Sequence, residues 1–496
     1  MAKIRQFAGQ ALVYGLGSIL SKVVYYLLVV VLLTYLLKDK TYEFGTYGEL
    51  YGYLTVLIIL FSFKLDTALF RFGNKKEDLK EAFNTTGSLV ILSAVIILIT
   101  GLSLDDSIAR LIEYDDKPEY IRWFSIILAL DVASLVPFAR LRLDNKARVF
   151  ALLKILNVAF SSLLIIFFLF LLPKYNDLGP LALLPKFDSK IDYVFITNIM
   201  ASLGTFLALL FYIGDFRFRI SSNLVKRIVP YVLPLVVVGI CNNIIQYNGA
   251  AVIKFFSSEQ GVLERLSQSG VFDSSRRIAG LFVLFIGAFN YAAEPFFFSN
   301  HKAEDRKTLY GKICHVFVLV GGFIILSLVL SKDLLQYMVG ESFRESMYII
   351  PVLLVAYLFL GIYHNVSIWY KLSDNTKWGA YISGVGVLIT LSVSYLYIPR
   401  VGYEAFAWAN LFSYFIMLLL AYLVGQRLYK VDYPVKKILS SVALIILLIL
   451  GAVALENHLN GLIKYVLFGL IFLVYLLYAY RSEKEEWLSI VLRNRS

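Results

Sequence analysis

The sequence is poor in the residues that build metal, redox or nucleotide sites. It has two cysteines and four histidines among 496 residues. The histidines (His301, His315, His364 and His458) are scattered, without the close spacing that a zinc site needs. No Walker loop is present, which excludes ATP as the direct energy source. Both cysteines lie within apolar stretches, so the sequence does not support a disulfide framework.

Charge is scarce as well. Asp, Glu, Lys and Arg make up 17% of the chain, against about 25% in soluble domains. Hydrophobic residues make up 59%, and the mean hydropathy is +0.73. The apolar residues form runs of about 20, the length with which an α-helix crosses a hydrocarbon core of about 30 Å. The composition excludes a soluble globular protein and predicts an all-α integral membrane protein.

The apolar runs predict about fourteen transmembrane helices. Because the loops between them are short, we expect the function to lie within the bilayer. The predicted spans are 11–37, 44–63, 83–104, 121–139, 149–172, 193–214, 228–253, 278–299, 310–330, 347–370, 378–398, 403–425, 436–455 and 461–480.

The basic residues predict the orientation of these spans. Most Lys and Arg lie in alternate loops, so the net charge of +12 is explained by membrane topology and does not indicate a nucleic-acid partner. One of the remaining loops is acidic, with Asp105, Asp106, Asp115 and Asp116. The positive-inside rule therefore predicts that both termini face the cytoplasm.

An internal repeat relates span two to span eight. It predicts two six-helix lobes of parallel topology. The matched residues are Gly45 with Gly270, Tyr47 with Phe272, Ala68 with Ala293 and Phe72 with Phe297. The predicted domains are an N-lobe (1–225), a C-lobe (226–430), two further spans (431–480) and a cytoplasmic interfacial tail (481–496).

Several short motifs resemble a known family of transporters. The segments are Gly9–Gly17, Gly45–Tyr47, Ala68–Phe72, Gly270–Phe272, Ala288–Asn290 and Ala293–Phe298. They resemble the O-antigen flippase branch of the multidrug/oligosaccharidyl-lipid/polysaccharide exporter superfamily. The resemblance implies two lobes around a central cavity, alternating access, and a location in the bacterial cytoplasmic membrane. It also implies an undecaprenyl-pyrophosphate-linked oligosaccharide as the substrate.

Four cationic residues are candidates for binding that substrate. Lys22 lies about 11 residues into span one, roughly 16 Å deep at 1.5 Å per residue. A charge at that depth usually faces a cavity or a partner. Arg276 and Arg277 face the cavity if span eight begins near position 270, and are ordinary external flanks if it begins at position 278. Arg71, at the inner end of span two, is either a ligand or an anchor in the inner leaflet. Related flippases resemble this pattern of cations on spans one, two and eight.

Intramembrane carboxylates suggest energy coupling. Asp131 lies midway along span four, and Glu294 lies in the inner half of span eight. Either is a candidate for carrying a proton or coordinating Na⁺, and equally a structural partner for Lys22 or Lys154. No cofactor is expected, and the energy source is then an H⁺ or Na⁺ gradient or the membrane potential.

Span seven is unusually polar and rich in proline. Pro230, Pro234 and Gly239 favour bending. Asn242 and Gln246, one turn apart, place amides on one helix face, where they bind sugar hydroxyls or join helices. In span two, Gly48 and Gly52 at a spacing of four predict close helix packing.

The leading hypothesis is a flippase for lipid-linked oligosaccharide. Its expected partners are that substrate, membrane lipids and glycan polymerases or ligases. One alternative is a multidrug or toxin cation antiporter of the same superfamily. Such antiporters usually have twelve spans and bind cationic drugs through acidic residues, so the two extra spans and the cationic candidate site argue against this alternative. A membrane polysaccharide polymerase or ligase is a second alternative, which the short external loops disfavour. We therefore expect a transporter that is not an enzyme.

Overall fold

The computed structural model describes residues 31–73, 76–144, 146–175, 186–214, 216–299, 306–373, 375–458 and 461–493. These ranges are almost entirely helical and contain no strand. The prediction of an all-α fold is confirmed. Of the first predicted span, only Val31–Leu36 and the short turn after it are described.

The helices follow one another with short connections. In chain order they are α1 (Val31–Leu36), α2 (Thr41–Ser62), α3 (Leu65–Phe72), α4 (Lys76–Ser103), α5 (Asp105–Leu111), α6 (Glu119–Leu143), α7 (Ala147–Ile166), α8 (Leu172–Tyr175), α9 (Lys190–Leu210), α10 (Ser222–Tyr247), α11 (Gly249–Phe256), α12 (Val262–Ser299), α13 (Arg306–Leu330), α14 (Lys332–Leu335), α15 (Ile350–Val366), α16 (Ile368–Leu372), α17 (Lys377–Val401), α18 (Glu404–Leu428), α19 (Val435–His458) and α20 (Leu462–Arg493).

Twelve helical segments of the described part are long and apolar enough to cross a membrane. α12 carries several charges and is not among them, yet its 38 residues extend about 57 Å. Together with α12 and the first predicted span, the count agrees with the predicted number of about fourteen. The most enclosed span contains α15, with 83% of its apolar window buried, whereas α20 has only 17% buried. α20 therefore lies at the periphery.

Successive long helices run in opposite directions, so their ends gather at two faces of the bundle. The basic face is the end at which α6, α9 and α18 end and α10 and α19 begin; it carries Arg140, Arg142, Arg217, Arg219, Lys226 and Arg227. The acidic face is the end at which α2 and α6 begin; it carries Asp105, Asp106, Asp115 and Asp116.

α2 and α12 pack against each other along much of their length. Gly45 makes this approach possible, because a Cβ atom there would collide with the carbonyl of Leu266 and crowd the backbone of Gly270. Gly45 and Gly270 are the residues matched by the sequence repeat. The division of the chain into two lobes stays a prediction.

Span eight differs most from its predicted boundary. α12 begins at Val262 and not near position 278, so its first turns occupy the stretch between the predicted spans seven and eight. Span seven also differs. Pro230 and Pro234 lie inside α10 without ending it, and the helix breaks at Asn248. Beyond position 480, the final helix α20 continues to Arg493.

Candidate functional site

A cavity of about 480 Å³ lies between α2, α6, α7 and α9 on one side and α10 and α12 on the other. Its charged lining residues are Asp131, Lys154, Arg276 and Arg277. Its uncharged polar lining includes the amides and hydroxyls of Asn157, Asn198, Ser134, Ser202, Thr55 and Thr205, and its aromatic lining is Tyr47, Tyr51, Phe138 and Tyr247.

One carboxylate holds both arginines of the cavity wall. Arg276 Nε donates to Asp273 Oδ1 at 2.7 Å, and its Nη2 lies 2.5 Å from the same oxygen. Arg277 Nε donates to Asp273 Oδ2 at 2.5 Å. Asp273 has no exposed surface, and each arginine is 8% exposed. Among the described residues, the cluster consists of two guanidinium groups and one carboxylate, fixed at the cavity wall.

The arginine cluster is local to α12. Residues at i, i+3 and i+4 lie on one face of a helix, so Asp273 reaches both Arg276 and Arg277 without help from another element. α2 completes the cluster: the Arg277 guanidinium lies 4.8 Å from the ring centroid of Tyr47. Gly48 leaves room for the Asp273 carboxylate, which lies 2.9 Å from the place of a Cβ there. The predicted close packing at Gly48 and Gly52 is confirmed.

The opposite wall is polar and largely neutral. Ser202 on α9 donates to Asp131 Oδ1 on α6 at 2.8 Å. Asn157 on α7 donates to Thr205 Oγ1 at 2.8 Å and to the Ala201 carbonyl at 3.1 Å. These bonds join three helices into a wall that presents amide and hydroxyl groups to the cavity.

Further aromatic and cationic groups complete this wall. Asn198 on α9 donates to the Tyr51 hydroxyl of α2, which ties the wall to the helix that also meets α12. Lys154 Nζ lies 4.1 Å from the ring centroid of Phe138. The cavity thus has a cationic wall on α12 and a mixed polar and aromatic wall on α6, α7 and α9.

A second buried network lies next to the cavity, towards the acidic face. Glu49 on α2 is 1% exposed and accepts hydrogen bonds from Tyr53 (2.8 Å) and Tyr114 (2.6 Å). Lys254 on α11 is 3% exposed; its Nζ lies 3.2 Å from Glu49 Oε1 and donates to the Ile112 carbonyl at 2.6 Å. This pair joins the N-terminal part of the chain to α11.

The same network reaches the surface through Glu113. Lys254 Nζ lies 3.6 Å from Glu113 Oε2, and Arg265 Nη2 lies 2.8 Å from Glu113 Oε1. Partial burial opposes ionisation of Glu113, but the hydrogen bond and charge of Arg265, aided by Lys254, hold its pKa below the usual value. We call Glu49, Lys254, Glu113 and Arg265 the acidic-face network.

The predicted site residues fall into two groups. Arg276, Arg277 and Asp131 line the cavity. Because α12 begins at Val262, the premise of the external-flank alternative, a helix that begins at position 278, is wrong. The role of the two arginines stays a prediction. Arg71 is exposed at the end of α3, with its guanidinium 4.4 Å from the ring centroid of Tyr231, and is not among the residues of the cavity lining.

The remaining candidates have other positions. Asn242 and Gln246 lie on α10, outside the cavity lining, although the Gln246 carbonyl accepts from Arg276 Nη1 at 3.4 Å. Glu294 lies near the end of α12, and its side chain is outside what the structure describes. Lys22 lies outside the described residues.

The sequence interpretation missed Asp273, Glu49 and Lys254. A signal existed for Asp273 and for Glu49. Asp273 stands three and four residues before the two arginines, which is the spacing of a helical ion pair. Glu49 lies inside a predicted apolar span, where a carboxylate requires a partner.

The fold is similar to that of several solved membrane transporters. Among solved structures, a lipid II flippase MurJ in an inward closed conformation superposes with a TM-score of 0.70 at 13% identity, covering 95% of this chain and 99% of that one. An inward-facing multidrug resistance MATE family transporter superposes with a TM-score of 0.61 at 15% identity, covering 85% and 94%. No protein-family model and no curated protein matches the sequence.

Proposed function

We propose that this chain is a flippase that moves undecaprenyl-pyrophosphate-linked oligosaccharide across the bacterial cytoplasmic membrane by alternating access. The observation that carries the proposal is the Asp273–Arg276–Arg277 cluster on the cavity wall. Its surplus positive charge suits a phosphate-bearing headgroup. Such a transporter would supply the glycan for O-antigen or other surface polysaccharide.

Arginine is well suited to this task. Its planar guanidinium has five N–H donors in a rigid fork that matches the geometry of phosphate oxygens. Asp273 engages the Nε of each arginine, which fixes the guanidinium planes before the substrate enters. Preorganised donors lower the entropic cost of binding. Placing the pyrophosphate in this cavity also avoids the cost of moving its charge through hydrocarbon.

The opposite wall supports a carbohydrate substrate. The amide of Asn157 and the hydroxyls of Ser202 and Thr205 offer both donors and acceptors. Tyr47 and Tyr51 add aromatic faces to the lining. A headgroup that carries phosphate at one end and sugar hydroxyls at the other fits a cavity with these two walls.

The acidic-face network supports alternating access. It joins α2 and the segment after α5 to α11 and α12, beside the cavity. Release of a headgroup towards the acidic face requires these elements to separate, and the buried Glu49–Lys254 pair would break in that step. For energy coupling we propose Asp131, which faces the cavity, with Glu294 as the second candidate.

A multidrug or toxin cation antiporter is the second candidate function. Asp131 favours it, because a buried carboxylate in a transport cavity attracts cations. The fold is shared with multidrug transporters. The two functions make opposite demands on the arginines: a cation substrate gains affinity when they are neutralised, whereas a pyrophosphate loses it.

The test is transport in proteoliposomes with an undecaprenyl-pyrophosphate-linked oligosaccharide. The Arg276→Gln/Arg277→Gln variant is expected to lose transport. Since these changes leave Asp273 as a buried carboxylate without its partners, a companion triple variant adds Asp273→Asn and should fold and also fail to transport. The matched control is Arg217→Gln/Arg219→Gln, two exposed arginines of the basic face with the same loss of charge.

Normal glycan export by both cavity variants would overturn the pyrophosphate mechanism. Export of cationic drugs that increases in the triple variant would favour the antiporter. Chemical conversion of the lipid-linked sugar by the purified chain would instead favour an enzyme.

A further inference from the structure

A second cavity, of about 420 Å³, lies at the basic face and shares no residue with the central cavity. It lies between the start of α13, the end of α18 and the start of α19. We call it the α13–α18–α19 pocket. It is lined by Thr308, Lys312, His315, Tyr422, Gln426, Lys430, Val431, Asp432, Tyr433, Pro434 and Lys437.

The pocket has an excess of positive charge. Lys312, Lys430 and Lys437 come from three separate segments, and Asp432 is the single carboxylate of the lining. Lys437 Nζ also donates to the carbonyl of Ser482 at 3.2 Å, which places α20 beside the pocket. Among the described residues of the lining, three lysines stand against one carboxylate, a composition that is suited to an anion.

The lining of the pocket includes a buried histidine and a buried hydroxyl group that has no hydrogen-bond partner among the described residues. His315 is 2% exposed, and its Nε2 lies 3.4 Å from the Ser441 hydroxyl and 3.5 Å from that of Ser482. The hydroxyl of Tyr433 is buried and has no hydrogen-bond partner among the described residues. A buried hydroxyl without a partner is unfavourable, so an acceptor brought by a ligand would relieve that cost.

Packing and a hydrogen bond hold the loop between α18 and α19 in place. Val431 is 3% exposed and packs in a hydrophobic cluster with Phe297 and Tyr310. Gly311 lets α13 approach the loop, because a Cβ there would collide with the Asp432 carbonyl. Gln426 donates to the Val431 carbonyl at 2.8 Å. Lys430 and Tyr433 are therefore positioned in advance on a fixed segment.

The surroundings identify the source of the anion. Val316 lies one turn from Lys312 along α13 and is 42% exposed; Leu423 lies one turn from Gln426 along α18 and is 50% exposed. These apolar side chains extend from the pocket into the membrane-spanning part of the bundle. A free phosphate would make no apolar contact with these side chains, whereas the acyl chains of a lipid would pack against them.

We propose that the α13–α18–α19 pocket binds the phosphate headgroup of an anionic membrane lipid. Basic pockets between spans on the cytoplasmic side are suited to such headgroups. The lipid would bridge helix α19 to the end of α18. This site is separate from transport of the substrate and does not depend on the proposed function.

The test is retention of lipid by the full chain in detergent, titrated with phosphatidylglycerol and with phosphatidylcholine and read by native mass spectrometry. The wild type should bind phosphatidylglycerol selectively. Lys312→Gln/Lys430→Gln/Lys437→Gln should weaken that binding roughly tenfold to a hundredfold. The matched control is Lys80→Gln/Lys226→Gln/Lys377→Gln, three exposed lysines predicted at the same face, which should bind like the wild type.

Tyr433→Phe provides a test that keeps the lysines and the ring packing, and it should weaken binding of phosphatidylglycerol by a smaller factor. Inorganic phosphate alone is the third ligand to be tested. Thermal stabilisation by phosphate equal to that by phosphatidylglycerol would overturn the assignment to a lipid. Equal loss of binding in the control variant would show a general effect of surface charge and would overturn the site.

Discussion

Two buried ion clusters lie beside α2, and they are assembled in different ways. The Asp273–Arg276–Arg277 cluster comes from five consecutive positions of α12. The acidic-face network draws Glu49, Glu113, Lys254 and Arg265 from four separate segments. The first cluster forms whenever α12 forms, whereas the second exists only while those segments are together.

The two clusters also differ in their balance of positive and negative charge. The α12 cluster has two cations and one carboxylate and lines a cavity. The acidic-face network has two cations and two carboxylates, and Glu49 and Lys254 are almost completely enclosed. A surplus charge at a cavity is suited to binding an anion. A balanced, enclosed network is suited to closing an interface.

The largest effect on folding is expected from Lys254→Met. Removing one partner of a buried ion pair leaves Glu49 as an uncompensated charge, which costs about 3–5 kcal/mol. The measurement is the free energy of unfolding of the purified chain in detergent. The double variant Glu49→Gln/Lys254→Met should recover part of that loss. Equal losses in the single and double variants would show that the pair is not coupled.

Asp273→Asn should have a smaller effect on stability. The two guanidinium groups lose their carboxylate, but both line a cavity, so we expect a cost of about 1–3 kcal/mol. The surplus positive charge of the wall rises at the same time. Affinity for a lipid pyrophosphate, measured by titration, should therefore rise while transport falls, because the arginines are no longer held in place. A loss as large as that of Lys254→Met would contradict the distinction between the two clusters.

The smallest effect is expected from Glu113→Gln and depends on pH. The pKa of Glu113 is lowered in the folded chain, so its contribution to stability is present above the unfolded value of about 4.3 and is lost as the pH falls through the lowered value. Thermal unfolding of the variant and the wild type should differ at neutral pH and converge in acid. A difference that stays constant down to low pH would contradict this assignment.

Much of the fold could be predicted because membrane solvation acts on each helix separately. The runs beginning near positions 121, 378 and 403 match α6, α17 and α18 within a few residues. α12 was predicted poorly for the opposite reason. Its first turns carry Glu264, Arg265 and Asp273, and this density of charge resembles a polar loop in the sequence.

For the site, the two arginines were predicted from the alignment of span eight with span two. Asp131 followed from its depth in span four, and it lines the same cavity. The sequence could not show that Arg71 lies outside the cavity lining, since the positive-inside rule and ligand binding both place arginine at that helix end. It also could not pair Glu49 with Lys254, which are separated by about 200 residues.

The sequence by itself determined the membrane class, the all-helical fold and the cationic character of span eight, because hydrophobic run length and local charge spacing act within single helices. Only the tertiary structure decided which charges meet. Pairing of Glu49 with Lys254 and the position of the arginines at the cavity depend on how α2, α11 and α12 pack. That packing is set by side-chain shape and by the close approach at Gly45 and Gly48. The glycine spacing predicts close packing, but no local pattern encodes which helix is the partner.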